Sequence, residues 1–350
     1  MSASGGRVGI KDVAEAAGVS ITTVSHALSG KGRLPEATRE RVARIARELG
    51  YRPHPTARSL AMGRMGLVAT MVSAPRGASI AFTEIDYYVA LMNAATRTAV
   101  ARGFSLVVAP STAGAETWDR LPLDGVIVID PTDGDETLPV LRSRGLAMVF
   151  VGRDPHGDPA DIVVQNDRRA ATHDVLEHLV DTGSQRPAIL TLRTFESFTE
   201  ECLQAAAVWG DERGVPTFTH VGDVDPTADT GSLRRVAETF LERPERPDGV
   251  FCLYERLAAE LLTAAAARRL RVPEDLRIVT ISEAGLSAST SPPLTTLDLE
   301  QAQLGQTAAS LLADLLDGRP AHSVLDVPTR LTVRASTGEP GVTTRRRGQP

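Results

Sequence analysis

Hydrophobic and polar residues follow two different patterns along the 350 residues of the chain. From Leu67 onward, short aliphatic runs are separated by amphipathic stretches with helical spacing. The runs are GLVATMVS, FSLVVAPS, DGVIVID, AMVFVGR, PAILTL, DGVFCLY and RIVTIS. Such runs are typical of parallel strands buried on both faces, and the helices between them indicate a doubly wound α/β fold. There are too many units for one ordinary sheet, so we expect two lobes with a ligand-binding cleft at the strand ends.

The first fifty residues show three short helical patterns instead. The first stops at Gly18, and Ser20 stands at the N-cap position of a second helix, 21–28, where its hydroxyl can accept a backbone amide. Pro35 suits the first turn of a third helix, which ends at Gly50. The side chains predicted to face inward are Ile10, Val13, Ala14, Ala17, Val24, Ala27, Leu28, Val42, Ile45, Ala46 and Leu49. Two helices joined by a tight Ala-Gly-Val turn predict a helix-turn-helix unit.

Charge is distributed unevenly between this N-terminal segment and the rest of the chain. Residues 1–66 hold eleven Lys or Arg and five Asp or Glu, a net charge of +6, whereas the whole chain carries −6. Residues 67–350 therefore carry −12. A small basic segment joined to a large acidic one is typical of a DNA-contacting module fused to another domain.

The outward face of the second helix is made of small or short side chains: Ile21, Thr22, Ser25, His26 and Ser29. A helix fits a DNA major groove, about 12 Å wide, only when the residues nearest the bases are short. Thr22 and Ser25 can hydrogen-bond to base edges or phosphates. Ile21 can pack on a thymine methyl group, and His26 can donate to N7 or O6 of guanine. The alternative interpretation is a merely solvated helix.

Three longer motifs favour DNA binding over a solvated helix. They are IKDVAEAAGVSITTVSHALSG, TRERVARIARELGYRP and ARSLAMGR, and they match the DNA-binding domain and hinge of one family almost without a gap. The chain resembles transcriptional regulators of the lactose-repressor (LacI/GalR) family, closely over residues 9–66 and more loosely to about Gly338. The resemblance implies a homodimer that binds a pseudo-palindromic double-stranded DNA operator, most commonly as a repressor.

The resemblance also implies roles for individual residues. Base-reading positions of the recognition helix are occupied by Ile21, Thr22 and His26. Phosphate-gripping positions are occupied by Thr23, Ser25, Ser29, Arg33 and Thr38. In the hinge, Arg58 is a further DNA-binding position and Leu60 stands where the family inserts a leucine into the minor groove. The hinge helix, 55–62, is short and should form only when a dimer sits on DNA.

Two residues depart from the family pattern in this region. His26 replaces the arginine of the best-known members, and a neutral imidazole offers one donor where arginine offers two. We therefore expect weaker, pH-sensitive discrimination at that base pair. His54-Pro55 replaces the asparagine that would cap the hinge helix, and we interpret His54 as a surface substitution without a functional role.

The resemblance predicts the domain organisation. Residues 1–50 form the helix-turn-helix domain, 51–66 the hinge and 67–338 a periplasmic-binding-protein-like effector and dimerisation domain. The chain should cross between its two lobes near Val163, Ser291 and His322. The tail 339–350 has no leucine heptad, so we expect a disordered end rather than a tetramerising coiled coil.

Several polar positions with which sugar-binding relatives hold hydroxyl groups are changed in the predicted cleft. Gly152 replaces an Asp, Thr199 an Arg, Tyr254-Glu255 an Asn-Asp pair and Ser282 an Asp. A free monosaccharide is therefore not expected as effector. Residues with a candidate effector-binding role are Ser73, Tyr87, Tyr88, Arg153, Phe195, Thr199, Tyr254 and Ser282. Three alternatives stay open: an aromatic or less polar metabolite bound by Tyr87, Tyr88, Phe195 and Tyr254; an unusual glycoside or phosphate ester bound through Arg153; or a domain that has lost sensing and serves only dimerisation.

Other classes of function find little support in the sequence. His173 and His178 are five residues apart, which does not give the i, i+4 spacing of a helical metal pair, and no nucleophile, phosphate-loop or dinucleotide motif is present. We expect no enzyme activity, cofactor or metal, and we interpret VIDPTDGDET as a solvated turn. No signal peptide or membrane span is expected, and Cys202 and Cys252 fit no disulfide framework, so a cytoplasmic, nucleoid-associated location is predicted. The alternative is a solute-binding or scaffold protein with a vestigial DNA-binding domain.

Overall fold

The computed structural model describes residues 8–29, 34–51, 64–74, 85–109, 115–193, 197–224, 228–282, 285–320 and 322–338. It divides into two compact units, of which the first is Met1–Leu67 with Pro122–Asp124 and the second is the remainder. The predictions for Arg33, Arg58, Leu60 and Phe195, and for the segments 55–62 and 339–350, concern residues outside those described.

Three helices form the N-terminal unit: α1 (Ile10–Ala17), α2 (Ile21–Ser29) and α3 (Glu36–Glu48). Val13, Val24 and Val42, one from each helix, are fully buried at their centre. The prediction that Leu49 is buried is wrong, because its side chain is 38% exposed. The helix ends at Glu48 and the chain turns at Gly50, where φ is 68°, so that Tyr51 packs against the core instead.

The described part of the second unit holds two six-stranded sheets, as the aliphatic runs predict. The first lobe has the strand order β11-β5-β4-β3-β1-β2 and the second β12-β10-β9-β8-β6-β7. The strands of the first lobe are β1 (Leu67–Val72), β2 (Ser105–Ala109), β3 (Gly125–Ile129), β4 (Ala147–Val151), β5 (Ile162–Gln165) and β11 (Val324–Asp326). Those of the second lobe are β6 (Pro187–Leu192), β7 (Phe218–Gly222), β8 (Gly249–Cys252), β9 (Arg277–Ile281), β10 (Thr295–Asp298) and β12 (Arg330–Thr332). Strand β12 runs antiparallel to β10, whereas β6, β7, β8, β9 and β10 pair in parallel.

Helices connect the strands of both lobes. They are α4 (Asp86–Ala101), α5 (Ala115–Arg120), α6 (Thr137–Ser143), α7 (Arg168–Asp181), α8 (Ser197–Arg213), α9 (Thr230–Leu241), α10 (Glu255–Ala267), α11 (Leu286–Ser289) and α12 (Gln301–Leu316). Helix α12 follows a strand of the second lobe but packs on α4 in the first. Gly305 makes this close approach possible, because a Cβ there would lie 2.1 Å from the carbonyl oxygen of Leu91.

The chain passes between the lobes after β5, β10 and β11. These connections lie later than the crossovers predicted near Val163, Ser291 and His322, because each strand runs to its carboxyl end before the chain leaves the sheet. Asn166 ties the three connections together: its Nδ2 donates to the carbonyl oxygens of Leu299 and Val327, at 3.1 and 2.9 Å.

In both lobes, an Asp-Gly-Val sequence lies at the start of a central strand. Asp124, directly before β3, accepts the backbone amides of Met65, Gly66 and Leu67 at 2.7, 2.6 and 3.1 Å. Asp248, directly before β8, accepts the Ser184 hydroxyl at 2.6 Å and the amides of residues 185 and 186 at 3.1 and 2.8 Å. Each carboxylate therefore fixes the entry of the chain towards the neighbouring strand, β1 or β6.

Candidate functional site

The turn between α1 and α2 orients the second helix. Gly18 adopts a left-handed conformation with φ 62°, which lets its amide and that of Val19 bond back to α1, at Glu15 and Ala14. The Ser20 Oγ then accepts the amide of Thr23 at 3.1 Å, which confirms the predicted N-cap. A tight glycine turn followed by a capped helix holds α2 at a fixed angle to α1.

The outward face of α2 carries the predicted base-reading residues. Ile21 is 44% exposed, and Thr22 and His26 are exposed as well, whereas Val24 and Ala27 are buried on the opposite face. The helix thus presents one methyl-bearing side chain, one hydroxyl and one imidazole side by side. This set can make apolar contact with thymine and hydrogen bonds to base edges in a major groove.

The predicted phosphate-contacting residues lie around this face. Ser25 is half-buried beside it, and Thr23 is half-buried with its hydroxyl 2.9 Å from the Ser20 Oγ. Thr38 is half-buried in the first turn of α3, where its amide donates to the carbonyl of Pro35 at 3.0 Å. Ser29 ends α2. The Thr23 hydroxyl already takes part in the helix cap. The phosphate contacts of Thr23, Ser25, Ser29 and Thr38 all remain predictions.

The candidate effector residues collect at the carboxyl ends of the strands. Ser73 follows β1, Arg153 follows β4 and Ser282 follows β9, while Tyr254 and Thr199 belong to the connections that follow β8 and β6. In open α/β sheets, ligands bind outside the carboxyl ends of the strands. The topology therefore places these sequence-distant residues at the carboxyl ends of the strands in the two sheets.

Ser73 is committed to a buried polar network rather than exposed at the edge. Its Oγ donates to Asp135 at 2.6 Å and accepts the amide of Thr132 at 3.1 Å. Asp135 also accepts the amide of Thr137 at 2.7 Å. The interpretation of VIDPTDGDET as a solvated turn is wrong, because Asp130, Thr132 and Asp135 are all buried. Asp135 accepts protein donors in place of water, whereas Asp133 is exposed.

Arg168, at the start of α7, is a buried cation among the residues that the structure describes. Its side chain is 6% exposed and lies 3.6 Å from Asp130 and 3.1 Å from Glu201. Burial alone would lower the pKa of Arg168, but the charges of Asp130 and Glu201 raise it above the ordinary value, so the guanidinium stays charged. Asp130 follows β3 in the first lobe with φ 47°, an uncommon left-handed backbone for a residue other than glycine.

The two adjacent tyrosines have different surroundings. Their rings meet edge to face, with centroids 5.2 Å apart. Tyr88 is buried in the core of the first lobe, whereas Tyr87 is half-buried and packs against both that core and the core between α7 and α8 in the second lobe. Tyr87 therefore lies where the cores of the two lobes meet, whereas Tyr88 belongs to the core of the first lobe.

The remaining candidates differ in how accessible they are. Arg153 is exposed, Thr199 is buried and Tyr254 is half-buried against the core of the second lobe. Ser282 is half-buried, with its amide donating to Leu297 at 2.9 Å. Among these four, Arg153 presents the most accessible polar group.

Sequence reasoning missed Arg168 and Asp130, although one signal was present. Arg168 and Arg169 are consecutive cations in the first turn of a helix, where the helix dipole disfavours positive charge. Arg169 is solvated and pairs with Glu212 on the surface at 3.3 Å. A cation at this position that is also buried requires carboxylate partners from elsewhere in the fold, and Asp130 is one of them.

Two further kinds of feature are absent from the described ranges. No group of three His, Cys, Asp or Glu side chains there could hold a metal ion. None of the helices described is both long and apolar enough to cross a membrane.

Both parts of the chain are similar to known protein families. Residues 9–54 match the family model described as bacterial regulatory proteins, lacI family, and residues 176–337 match a periplasmic binding protein-like domain. The HTH-type transcriptional regulator CelR of Thermobifida fusca is 29% identical over 342 residues, which are 93% of this chain and 96% of the relative.

Two solved structures share the architecture of the chain. The complex of the transcriptional regulator CelR with cellobiose is 25% identical with a TM-score of 0.68, and the match covers 94% of this chain and all of that one. The lac repressor dimer bound to operator and the anti-inducer ONPF is 23% identical with a TM-score of 0.77, over 95% of this chain and all of that one. At that identity, the second likeness supports the fold.

Proposed function

Because the chain belongs to the LacI family of bacterial regulatory proteins, we propose that it is a sequence-specific DNA-binding repressor whose operator affinity is modulated by a small-molecule effector. The observation that carries the proposal is the capped helix α2 with Ile21, Thr22 and His26 exposed together on one face. A helix with so little bulk on its outer face can approach base edges closely.

In this proposal, a homodimer places two copies of α2 in successive major grooves of a pseudo-palindromic operator. The half-site centres then lie about 34–36 Å apart, one turn of DNA. Ile21, Thr22 and His26 read bases, while Thr23, Ser25, Ser29, Arg33 and Thr38 contact phosphates. Phosphate contacts release counterions, so operator affinity falls steeply with salt.

The hinge supplies the second part of the proposed readout. Leu60 from each subunit enters the minor groove at the operator centre and opens a base step, with Arg58 alongside it. Such wedges bend DNA and make affinity depend on how easily the central step unstacks. The segment 55–62 is too short to be a stable helix by itself, so its ordering on DNA costs free energy. The two hinges of the dimer must therefore be correctly spaced for this ordering to accompany DNA binding.

A second copy of the chain fits the edges of the two sheets. Strand β2 lies at one edge of the first sheet and β7 at one edge of the second. Their side chains Val108 and Val221 are 42% and 48% exposed, in sheets whose inner strands are almost entirely buried. Apolar side chains on edge strands favour burial against another chain, and a homodimer would cover both edges.

The proposed effector site is the cleft at the carboxyl ends of the strands. Tyr87 offers half-buried aromatic surface, which favours a ligand with an aromatic or apolar part; Tyr88, Tyr254 and Phe195 belong to the same expectation. The second candidate is a glycoside, which the CelR complex with cellobiose favours, and cellobiose is therefore the first ligand to test. Arg153 is the residue expected to hold a phosphate or hydroxyl group of such a ligand.

We propose that the chain acts by binding alone, without catalysis or cofactor. The chain couples ligand binding to DNA binding. A ligand changes the affinity for DNA only when it binds one arrangement of the lobes better than the other. Its place of action follows from its proposed partner, the chromosomal DNA of the nucleoid. The alternative in which the effector domain has lost sensing predicts an operator affinity that no metabolite changes.

Selection of duplexes from a random pool tests the proposal. We expect the full-length protein to recover a palindrome with a defined central step, and Leu60→Ala to weaken binding to it while leaving the half-site sequence unchanged. Leu49→Ala is a matched control, because Leu49 lies on the surface of the same unit. Binding that is salt-sensitive but blind to sequence would contradict the proposal and favour a scaffold with a vestigial DNA-binding domain.

A further inference from the structure

The charged group of Arg168 lies where the two lobes of the effector domain meet. Arg168 belongs to α7 in the second lobe, and it is the third residue after strand β5 of the first lobe. Its guanidinium is in ionic contact with Asp130 of the first lobe, 3.6 Å away, and with Glu201 of the second, 3.1 Å away. One buried cation therefore spans carboxylates of both lobes.

Helix α8 holds the guanidinium from the side of the second lobe. Glu201 provides a carboxylate whose side chain is 38% exposed, and the ring centroid of Phe198 lies 5.1 Å from the guanidinium carbon. A cation over an aromatic face is attracted by the ring, and more strongly where water is excluded. These contacts lie within one lobe, so they orient Arg168 whether or not the first lobe is in place.

The first lobe provides a matching recess. Asp130 is 3% exposed at the end of β3, and Gly152 follows β4 beside it. A Cβ at Gly152 would lie 3.1 Å from Arg168 Nη2 and 3.4 Å from Asp130 Oδ1, so the glycine leaves room for the ion pair. Tyr87, which packs against the cores of both lobes, also contributes to raising the pKa of Arg168.

We propose that Arg168 and Asp130 form an ion-pair latch that holds the two lobes of the effector domain together. The pair is favourable in the closed arrangement only while both charges are present, because a buried charge that loses its partner is strongly destabilising. If the lobes separate, water solvates each group. Removal of either charge therefore shifts the population towards the open arrangement.

The latch gives the effector site a specific means of control. Glu201 is the more exposed carboxylate partner of Arg168, so this side of the buried cation is accessible to solvent. A ligand that draws Arg168 away from Asp130 opens the lobes, and one that leaves the pair intact stabilises the closed arrangement. Any effect of this opening on DNA binding rests on the proposed function, whereas the latch itself concerns the effector domain alone.

Distance measurement between spin labels tests the latch directly. Labels at Glu116→Cys in the first lobe and Asp223→Cys in the second occupy side chains that are each 88% exposed, and the natural Cys202 and Cys252 are buried. Labelled full-length protein is mixed with an excess of unlabelled protein, without DNA or ligand, so that the measured pairs lie within one chain.

Arg168→Met is expected to lengthen or broaden the distribution of distances between the labels and to lower the melting temperature by roughly 5–10 °C. Asp130→Asn should give the same opened distribution. Arg169→Met is the matched control: this neighbouring arginine pairs with Glu212 of its own lobe on the surface, and its loss should leave the distribution unchanged.

An unchanged distribution in Arg168→Met would overturn the latch, and so would an equal change in Arg169→Met. If Arg168→Met does not fold, Asp130→Asn takes its place, because it keeps the ion pair between Arg168 and Glu201. We expect Asp130→Asn to be open, and the wild-type distribution in it would also overturn the proposal. The selection of DNA from a random pool does not depend on the result of the spin-label experiment. Failure of the latch and failure of the DNA-binding proposal can therefore be told apart.

Discussion

Asp248 joins two strands of the second lobe, and its replacement by Asn tests the structural account quantitatively. The carboxylate accepts the Ser184 hydroxyl at 2.6 Å and the amides of Gln185 and Arg186 at 3.1 and 2.8 Å. Each hydrogen bond to a charged group contributes about 1.5–3 kcal/mol when measured alone. Because three donors share one half-buried acceptor and Asn retains one oxygen, we expect a total loss of roughly 3 kcal/mol in the free energy of unfolding.

The loss should depend on pH in a defined direction. Partial burial raises the pKa of Asp248, but the hydrogen bonds from Ser184, Arg186 and Gln185 outweigh it, and the net effect lowers the pKa below its ordinary value. The unfolded chain therefore binds the proton more readily, and the stabilisation is fully present above about pH 4. It is lost as the pH falls through the lower pKa of the folded state, so wild type and Asp248→Asn should converge in strong acid.

Urea unfolding followed by circular dichroism, at pH 7 and at intervals down to pH 3, measures both effects. Asp223→Asn is the control, since Asp223 is 88% exposed and its ion pair with Arg193 is on the surface. We expect the control to change the free energy of unfolding by less than about 1 kcal/mol at any pH. A loss in Asp248→Asn no larger than that of the control, or one that grows in acid, would contradict a stabilising role of these hydrogen bonds.

Three further substitutions test other parts of the account. His26→Arg should tighten binding at a guanine contact by about 1–3 kcal/mol and sharpen the preference there, measured by competition between single-base operator variants; unchanged preference would contradict a base contact. Ser20→Ala should lower the free energy of unfolding of the N-terminal unit by about 1 kcal/mol through loss of the cap on Thr23, measured by calorimetry, with no change if the cap is dispensable. Gly305→Ala should cost about 1–3 kcal/mol, because its Cβ would lie 2.1 Å from the Leu91 carbonyl; a melting temperature equal to wild type would contradict the close contact of α4 and α12.

Local patterns predicted the elements well where one signal decided each of them. The Gly18 turn and the Ser20 cap placed α2, and the seven aliphatic runs all became strands of the two sheets. Buried parallel strands are continuous in sequence and need no partner to be recognised. Short or mixed strands such as β5, β7 and β12 were not individually marked, because only their neighbours in the sheet distinguish them from loops.

The cleft was harder to predict because burial there is decided by tertiary contacts. An acidic run is usually solvated, yet Asp135 is buried beneath the Ser73 hydroxyl at the end of β1. A pair of arginines usually extends into water, yet Arg168 turns inward while Arg169 does not. The difference between these two neighbours lies in Asp130, which is distant in sequence. No local pattern contains that contact.

The affinity of the full-length protein for its selected operator, relative to a scrambled duplex of the same composition, tests the central claim most directly. Both affinities are measured at about 0.15 M salt, where non-specific attraction is screened but specific contacts persist. We expect a preference of roughly 10³ or more, which falls when Ile21 and Thr22 are both replaced by Ala. Equal affinities for the two duplexes would contradict the claim that α2 reads a DNA sequence.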